Sequence, residues 1–315
     1  MKAIVTGGAG FIGSHLVDRL INDGYSVSVI DNMTCGTTDN IEQHSNNPKL
    51  KVYNVDIRDS EALNKIFVGH DVVFHLAAQA NIRKSAVDHK SDLDNNLVGT
   101  INILEAMIQN KIKDLVFASS SAVYGEATIR PTPEDYMPIQ TSLYGASKLA
   151  CEAYVEAFIQ FAPLQFWAFR FANVVGERCR RGVIWDFVHK LSKDSSQLEI
   201  LGDGKQSKEY LYVKDCVEGI MIGYRKSTNP VNIFNLGMYE QTEVDGVANS
   251  VIKEMGLNCK MVSRKYSGGS RGWIGDNPIV ELSLEKIAGL GWKPSISPEQ
   301  AIRLTANWTL STLSH

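Results

Sequence analysis

Residues 2–13 read KAIVTGGAGFIG: a short apolar run that stops at a cluster of glycines and resumes as the start of a helical pattern. Gly8, Gly10 and Gly13 fit GxGxxG, and Gly7, Gly10 and Gly13 also fit GxxGxxG. Glycines at this spacing, between a strand and a helix, let the backbone turn tightly and approach a pyrophosphate. The charge of that pyrophosphate then meets the helix N-terminus. Asp31 closes the next strand pattern, 21 residues after Gly10. A carboxylate there accepts hydrogen bonds from an adenosine ribose and repels a 2′-phosphate, which favours NAD over NADP. Asp56 and Ile57, after the third strand pattern, are placed to touch the adenine.

Working outward, strand patterns fall at 2–6, 26–31, 51–55, 71–76, 114–118 and 165–170. Helical patterns lie between them at 12–23, 60–68, 94–109 and 144–161. Alternation of this kind predicts an α/β fold, a parallel sheet covered on both faces. Helix 94–109 puts Leu97, Ile101, Leu104 and Ile108 on one stripe. Helix 144–161 does so with Ala150, Tyr154, Ala157, Phe158 and Phe161. Both stripes read as intrachain core, with a helix pair across a dimer as the alternative. After residue 172 turn signals become denser, and helical patterns persist at 183–193, 214–226, 242–255 and 298–312. Two parts are expected, 1–172 and 173–315, the second smaller and mixed, with a cleft between them and some segments free to return to the first.

The chain has 315 residues, 44 % of them apolar and 21 % charged, and a formal net charge of −3. No Lys/Arg block stands out, so nucleic acid is not expected as a partner. No run is long enough to span a membrane, and the glycines interrupt the N-terminal apolar run too early for a signal peptide. Five scattered cysteines lack metal-ligand spacing; they suggest free thiols in a reducing, cytoplasmic compartment and no metal.

Two stretches carry chemistry. Residues 117–125 read FASSSAVYG, and 143–148 read LYGASK. Tyr144 and Lys148 stand four apart, on one face of a helix. A neighbouring ammonium and a nicotinium cation would both favour the phenolate and make Tyr144 a usable proton acceptor. Lys148 can also donate to the nicotinamide ribose.

With these motifs the chain resembles the extended short-chain dehydrogenases/reductases, specifically the NAD-dependent nucleotide-sugar epimerases and dehydratases. The resemblance runs through TGGAGFIG, DNMTCG (31–36), HLAAQA (75–80), NNLVGT (95–100), SSSAVYG, YGASK, FRFANVVG (169–176) and GDGKQSKEYLYVKD (202–215). It implies a Rossmann-like domain and a C-terminal nucleotide-sugar domain. It also implies cofactor contacts from Gly7, Gly10, Phe11, Ile12 and Gly13, from Asp31, Asn32, Asp56 and Ile57, from Leu76, Ala77, Ala78 and Gln79, and from Asn95, Tyr144 and Lys148.

The resemblance assigns the catalytic hydroxyl to Ser120, three residues before Val123. The 4,6-dehydratases of this family carry Asp and Glu at the next two positions, where this chain has Ser121 and Ala122, which cannot move protons in those roles. That points to a 4-epimerase working through a 4-keto sugar, of the UDP-glucose/UDP-galactose type. For the sugar end the resemblance implies Ser85, Ser121, Asn173, Val183, Lys208, Arg271 and Asp276. Lys208 departs from the family's Arg and loses its bidentate fork, and the register of Arg271 and Asp276 is shifted around Trp273. Val280, at a position that often gates the sugar's 2-substituent, is small enough to admit a 2-acetamido group.

Two alternatives stay open. One is a dehydratase (4,6- or 5,6-) or uronate epimerase, should Cys151, Cys179, Glu126 or Glu209 stand near C5 or C6. The other is a non-catalytic NAD-binding sensor, a class that typically loses the Tyr/Lys pair this chain keeps. A homodimer through the two outer helices is implied by the same resemblance.

Overall fold

The computed structural model describes residues 1–273 and 275–313. Strands β1 (Lys2–Thr6), β2 (Ser26–Asp31), β3 (Leu50–Asn54), β4 (Val72–His75), β5 (Asp114–Ser120) and β6 (Gln165–Phe171) follow the expected runs closely. Four short strands come next: β7 (Asn173–Val175), β8 (Gln197–Ile200), β9 (Ser207–Lys208) and β10 (Tyr210–Tyr212). Then follow β11 (Val231–Leu236), β12 (Thr242–Glu243) and β13 (Ser263–Tyr266). The helices are α1 (Phe11–Asn22), α2 (Ser60–Ile66), α3 (Ile82–Ser85), α4 (Gly99–Gln109), α5 (Leu143–Ile159), α6 (Val183–Lys193), α7 (Val213–Lys226), α8 (Val244–Glu254), α9 (Glu285–Ala288) and α10 (Pro298–Leu313).

Seven strands form one parallel sheet in the order β11-β6-β5-β4-β1-β2-β3. Alternation along β1 shows why both faces are covered. Ala3 and Val5 pack with Leu16, Val17 and Leu20 of α1 and with Val217 and Ile220 of α7. Ile4 faces the other way, into Leu63 of α2, Ile103 and Met107 of α4 and Val155 of α5. The strand order reverses between β1 and β4, and a crevice opens there at the carboxyl ends of the strands. This is a Rossmann-like doubly wound α/β fold.

A third core gathers α6, α8 and α10 with β8 and β10, around Phe187, Val188, Val251, Ile252 and Ile302. The chain crosses between the parts more than once. After α6 it returns as α7 against α1, and β11 pairs with β6 from Val231↔Phe166 to Leu236↔Phe171. Strand β11 is absent from the expected strand runs because its apolar residues alternate with asparagines. Asn232 and Asn235 are nonetheless buried and bonded: Asn235 donates to Thr132 O and Ser283 O and accepts from Tyr124.

The two outer stripes correct the core expectation. Leu104 is buried, but Tyr154 is 45 % exposed, Phe161 71 % and Ile108 38 %. Among the described residues no helix is long and apolar enough to cross a membrane.

Candidate active site

A cleft of ≈ 510 Å³ occupies the crevice. All sixteen positions expected at the cofactor line it: Gly7, Gly10, Phe11, Ile12 and Gly13; Asp31, Asn32, Asp56 and Ile57; Leu76, Ala77, Ala78 and Gln79; Asn95, Tyr144 and Lys148. The glycines have steric reasons. Gly7 sits at φ +69°, where a Cβ would lie 2.7 Å from Ala77 N, and a Cβ on Gly13 would lie 2.1 Å from Gly7 O. Helix α1 starts behind Gly10 with no side-chain cap and no acidic residue in its first turn. Its leading N–H groups are thus left for an anion. Asp31 accepts from Ala9 N (3.0 Å) and Met33 N (2.9 Å), and burial raises its pKa. Asp56 is held well below the usual carboxylate range by Arg58, with Asn32 as a further donor. These features fit a dinucleotide: a cradle that a Cβ would fill, free helix N–H groups and a ribose carboxylate.

The three serines at the end of β5 divide by strand alternation. Ser119 turns into the interior and bonds the buried carboxylate of Glu152. Ser120 caps the following turn by accepting from Ala122 N (3.1 Å) and stands beside Tyr144, where its hydroxyl favours the ionised phenol, although of the three serines it is Ser119 that counts among the residues lining the cleft. Ser121 opens the short 3₁₀ turn 121–124. Tyr144 lies in the first turn of α5, behind the Ser142 cap, which accepts from Gly145 N at 3.1 Å. Lys148, one turn on, is 2 % exposed; its Nζ donates to Ala118 O at 2.8 Å and lies 4.5 Å from the centre of the Phe117 ring. Burial pushes Lys148 down to about 8. Burial also raises the Tyr144 phenol, against the charge of Arg181 and the Ser120 bond. Among the neighbouring charges, that of Arg181 opposes the effect of burial on this phenol.

The remaining expected positions do not line this cleft. Ser85 is buried, with Gln79 donating to it at 3.2 Å. Asn173 begins β7 and donates to Glu209 O (3.2 Å). Val183 begins α6. Lys208 pairs with buried Asp276 at 2.5 Å, and Asp276 also accepts from Gly272 N at 3.0 Å. Arg271 pairs with Glu126 at 2.5 Å. Trp273 lies under the cations of Arg83 (4.6 Å) and Lys208 (5.0 Å), which makes it part of this cluster. The acid/base-capable side chains left unplaced by sequence fall elsewhere. Cys151 is buried and donates to Asn96 O. Cys179 is buried against Arg181 O. Glu209 is fully buried, accepts from Met238 N and Leu282 N, and is pushed up to about 8 by burial.

Sequence reading missed several cleft residues. Thr34, Cys35 and Gly36 line it from the turn after Asp31, Lys84 from α3, and Arg178, Arg180 and Arg181 from the loop before α6. The first group lay within a stretch already singled out. The arginines are three of the four residues at 178–181, a local basic cluster hidden by a balanced overall charge.

The description "NAD dependent epimerase/dehydratase family" matches residues 3–237. A Methanocaldococcus jannaschii protein, provisionally named a UDP-glucose 4-epimerase, is 37% identical over 311 residues, 97% of each chain. The crystal structure of a UDP-glucose 4-epimerase with UDP-glucose, from Thermotoga maritima, superposes with a TM-score of 0.89 at 34% identity, covering 99% of this chain and 100% of that one. A UDP-N-acetylglucosamine 4-epimerase from Methanobrevibacter ruminantium gives 0.88 at 29% identity, covering 99% and 98%. The chain belongs to the NAD-dependent epimerase/dehydratase family, and its cofactor is NAD.

Proposed function

We propose that the protein is a UDP-sugar 4-epimerase of the UDP-glucose/UDP-galactose type, with Ser120, Tyr144 and Lys148 as its catalytic residues. The observation that carries this reading is Ser120 beside Tyr144, a phenol that lines the dinucleotide cleft together with Lys148 one turn away. NAD, held by the residues of the glycine turn and by Asp31, would supply the hydride acceptor and donor for interconversion at C4 of the sugar through a 4-keto form. The chain's own residues handle the proton. Ser120 bridges the sugar 4-hydroxyl and Tyr144, and Tyr144 takes the proton and gives it back. Lys148, when ionised, would hold the ribose beside the nicotinamide and supply positive charge in the buried site.

Dehydration would need an acid and a base at positions 121 and 122. Ser121 and buried Ala122 offer neither, and Cys151, Cys179 and Glu209 are buried and bonded inside the protein. At the sugar end, Ser85, Ser121, Asn173, Val183, Lys208, Arg271 and Asp276 form the substrate wall in this reading. The first part, 1–172 together with α7 and β11, holds the cofactor, and the rest holds the nucleotide sugar. The exposed apolar stripe of Ile108, Tyr154 and Phe161 supports a homodimer through α4 and α5. The five free cysteines support a reducing, cytoplasmic setting, and the net charge of −3 gives nucleic acid no hold.

The test is chromatography with mass spectrometry after separate incubation with UDP-glucose, UDP-N-acetylglucosamine and UDP-glucuronate. A new peak of unchanged mass is expected from UDP-glucose, and also from the 2-acetamido sugar if Val280 leaves the room expected of it. Tyr144→Phe should lower turnover by roughly 10²–10⁴ while NAD stays bound. A product lighter by one water would replace epimerisation with dehydration.

A further inference from the structure

The loop between β7 and α6 lends Arg178, Arg180 and Arg181 to the lining of the dinucleotide cleft, and its first residues are fastened to both parts of the molecule. On the sugar-side part, Glu177 accepts from the Tyr212 hydroxyl at 2.9 Å, and Gly176 fits against Val213, where a Cβ would lie 2.5 Å from Cγ1. On the cofactor side, the Glu177 carbonyl meets His15 Nε2 at 3.0 Å. His15 is one turn past Phe11 on α1, in edge contact with that ring. Arg178 lies 2.9 Å from Asp18, one turn further along α1, a close ion pair whose N–H does not point along the bond. The loop thus rests on the side of the same helix whose free N–H groups open into the cleft.

What the loop brings there is charge. Arg178, Arg180 and Arg181 all line the cleft. Arg178 is committed to Asp18. Arg180 has only a loose contact, 3.7 Å to Asp39, with both side chains well exposed. For Arg181 no carboxylate partner occurs among the described residues, and its charge reaches Tyr144 at the inner end. With Lys84 and Lys148 the lining carries five cations. Its two carboxylates are already engaged, Asp31 by backbone N–H groups and Asp56 by Arg58. The cleft therefore holds unpaired positive charge together with a helix N-terminus, an arrangement that suits a diphosphate.

We infer that Arg180 and Arg181 form a strap that closes over the bound dinucleotide and clamps its diphosphate against the N-terminus of α1. The strap explains how an open crevice can retain its cofactor through turnover. It also makes retention depend on a segment shared with the sugar-side part, because the loop that carries the arginines leads directly into α6. The inference rests on the NAD assignment and not on which sugar is turned over.

The test is retention and affinity of NAD itself. Wild type, Arg180→Gln/Arg181→Gln and Arg180→Lys/Arg181→Lys are passed through gel filtration, and acid-released NAD is measured. The Kd for NAD is then titrated on stripped protein at low and high salt, with UDP titrated in parallel. The glutamine pair should lose its NAD on the column, with a Kd raised roughly 10- to 100-fold and a flatter salt dependence. The lysine pair should recover most of the loss, because it restores charge; it also serves as the folding control. An unchanged Kd for NAD in the glutamine pair overturns the clamp. So does a loss confined to UDP affinity, which would give the arginines to the nucleotide sugar instead. A wild type that binds no NAD at either salt overturns the cofactor assignment together with the clamp.

Discussion

Helix α5 carries two buried charges one turn apart, and their surroundings are opposite. Glu152 is 2 % exposed and fully engaged. Arg170 reaches it with Nε at 3.2 Å and NH2 at 2.6 Å, and Ser119 adds a third bond. Arg170 in turn donates to Tyr124 (2.9 Å) and Glu134 O (2.8 Å). Lys148 is buried to the same degree, but it has one carbonyl and one aromatic face. The first charge belongs to a closed network that ties α5 to β5 and β6 next to Ser120. The second is left short of partners within the chain, as expected of a group that meets a ligand in the proposed mechanism. A buried charge that is satisfied within the chain marks scaffold, and one that is not marks the site.

The largest way to break this comparison is Glu152→Met. It leaves the Arg170 guanidinium buried with only neutral acceptors, and it should cost about 3–5 kcal/mol in denaturant unfolding. Adding Arg170→Met should restore much of that stability. A double variant no better than the single would mean that the two groups do not act as a unit.

Lys148→Met should move stability the other way while abolishing turnover. The folded-state pKa of Lys148 is depressed from 10.5 to about 8 by burial, so the folded state pays for the charge wherever both states are protonated. The shift corresponds to a gain of up to about 3 kcal/mol for the variant at pH 7. The gain should hold below pH 8 and fade as pH rises from 8 towards 10.5, where the unfolded lysine also loses its proton. Melting curves at pH 7 and pH 10 would check both sign and window. A variant less stable than wild type at pH 7 would show that the contact with Phe117 outweighs desolvation.

The smallest expected effect is that of Ser119→Ala. It removes one bond from the closed network and should cost about 1–2 kcal/mol, with the Km for the sugar unchanged. The same replacement at Ser120 should leave stability almost untouched and lower kcat instead. If the two serines exchanged these phenotypes, the division of the run by strand alternation would be wrong.

Much of the molecule was legible as a string of residues. The glycine spacing, Asp31 and the Tyr144–Lys148 pair are local features, and they land together because each sits at an element end that the parallel sheet brings to one edge. The strands of the first part were equally clear, since strands buried on both faces are continuous apolar runs. Strand β11 was not, because its asparagines are bonded by groups about 50–100 residues away and only the folded chain shows those partners. The outer faces of α4 and α5 misled for the converse reason. An apolar stripe looks the same whether it meets its own sheet or a second copy of the chain.

By itself the sequence determined the fold class and the cofactor cradle, because these depend on backbone geometry and spacing within single elements. The tertiary structure decided which of the three serines faces Tyr144. It also decided which cation acts on that phenol, and whether Lys208 and Arg271 are free or already paired with Asp276 and Glu126. Those are questions of what approaches from another part of the chain. Charge at a site depends on distance and burial in three dimensions, and neither can be read from the order of residues.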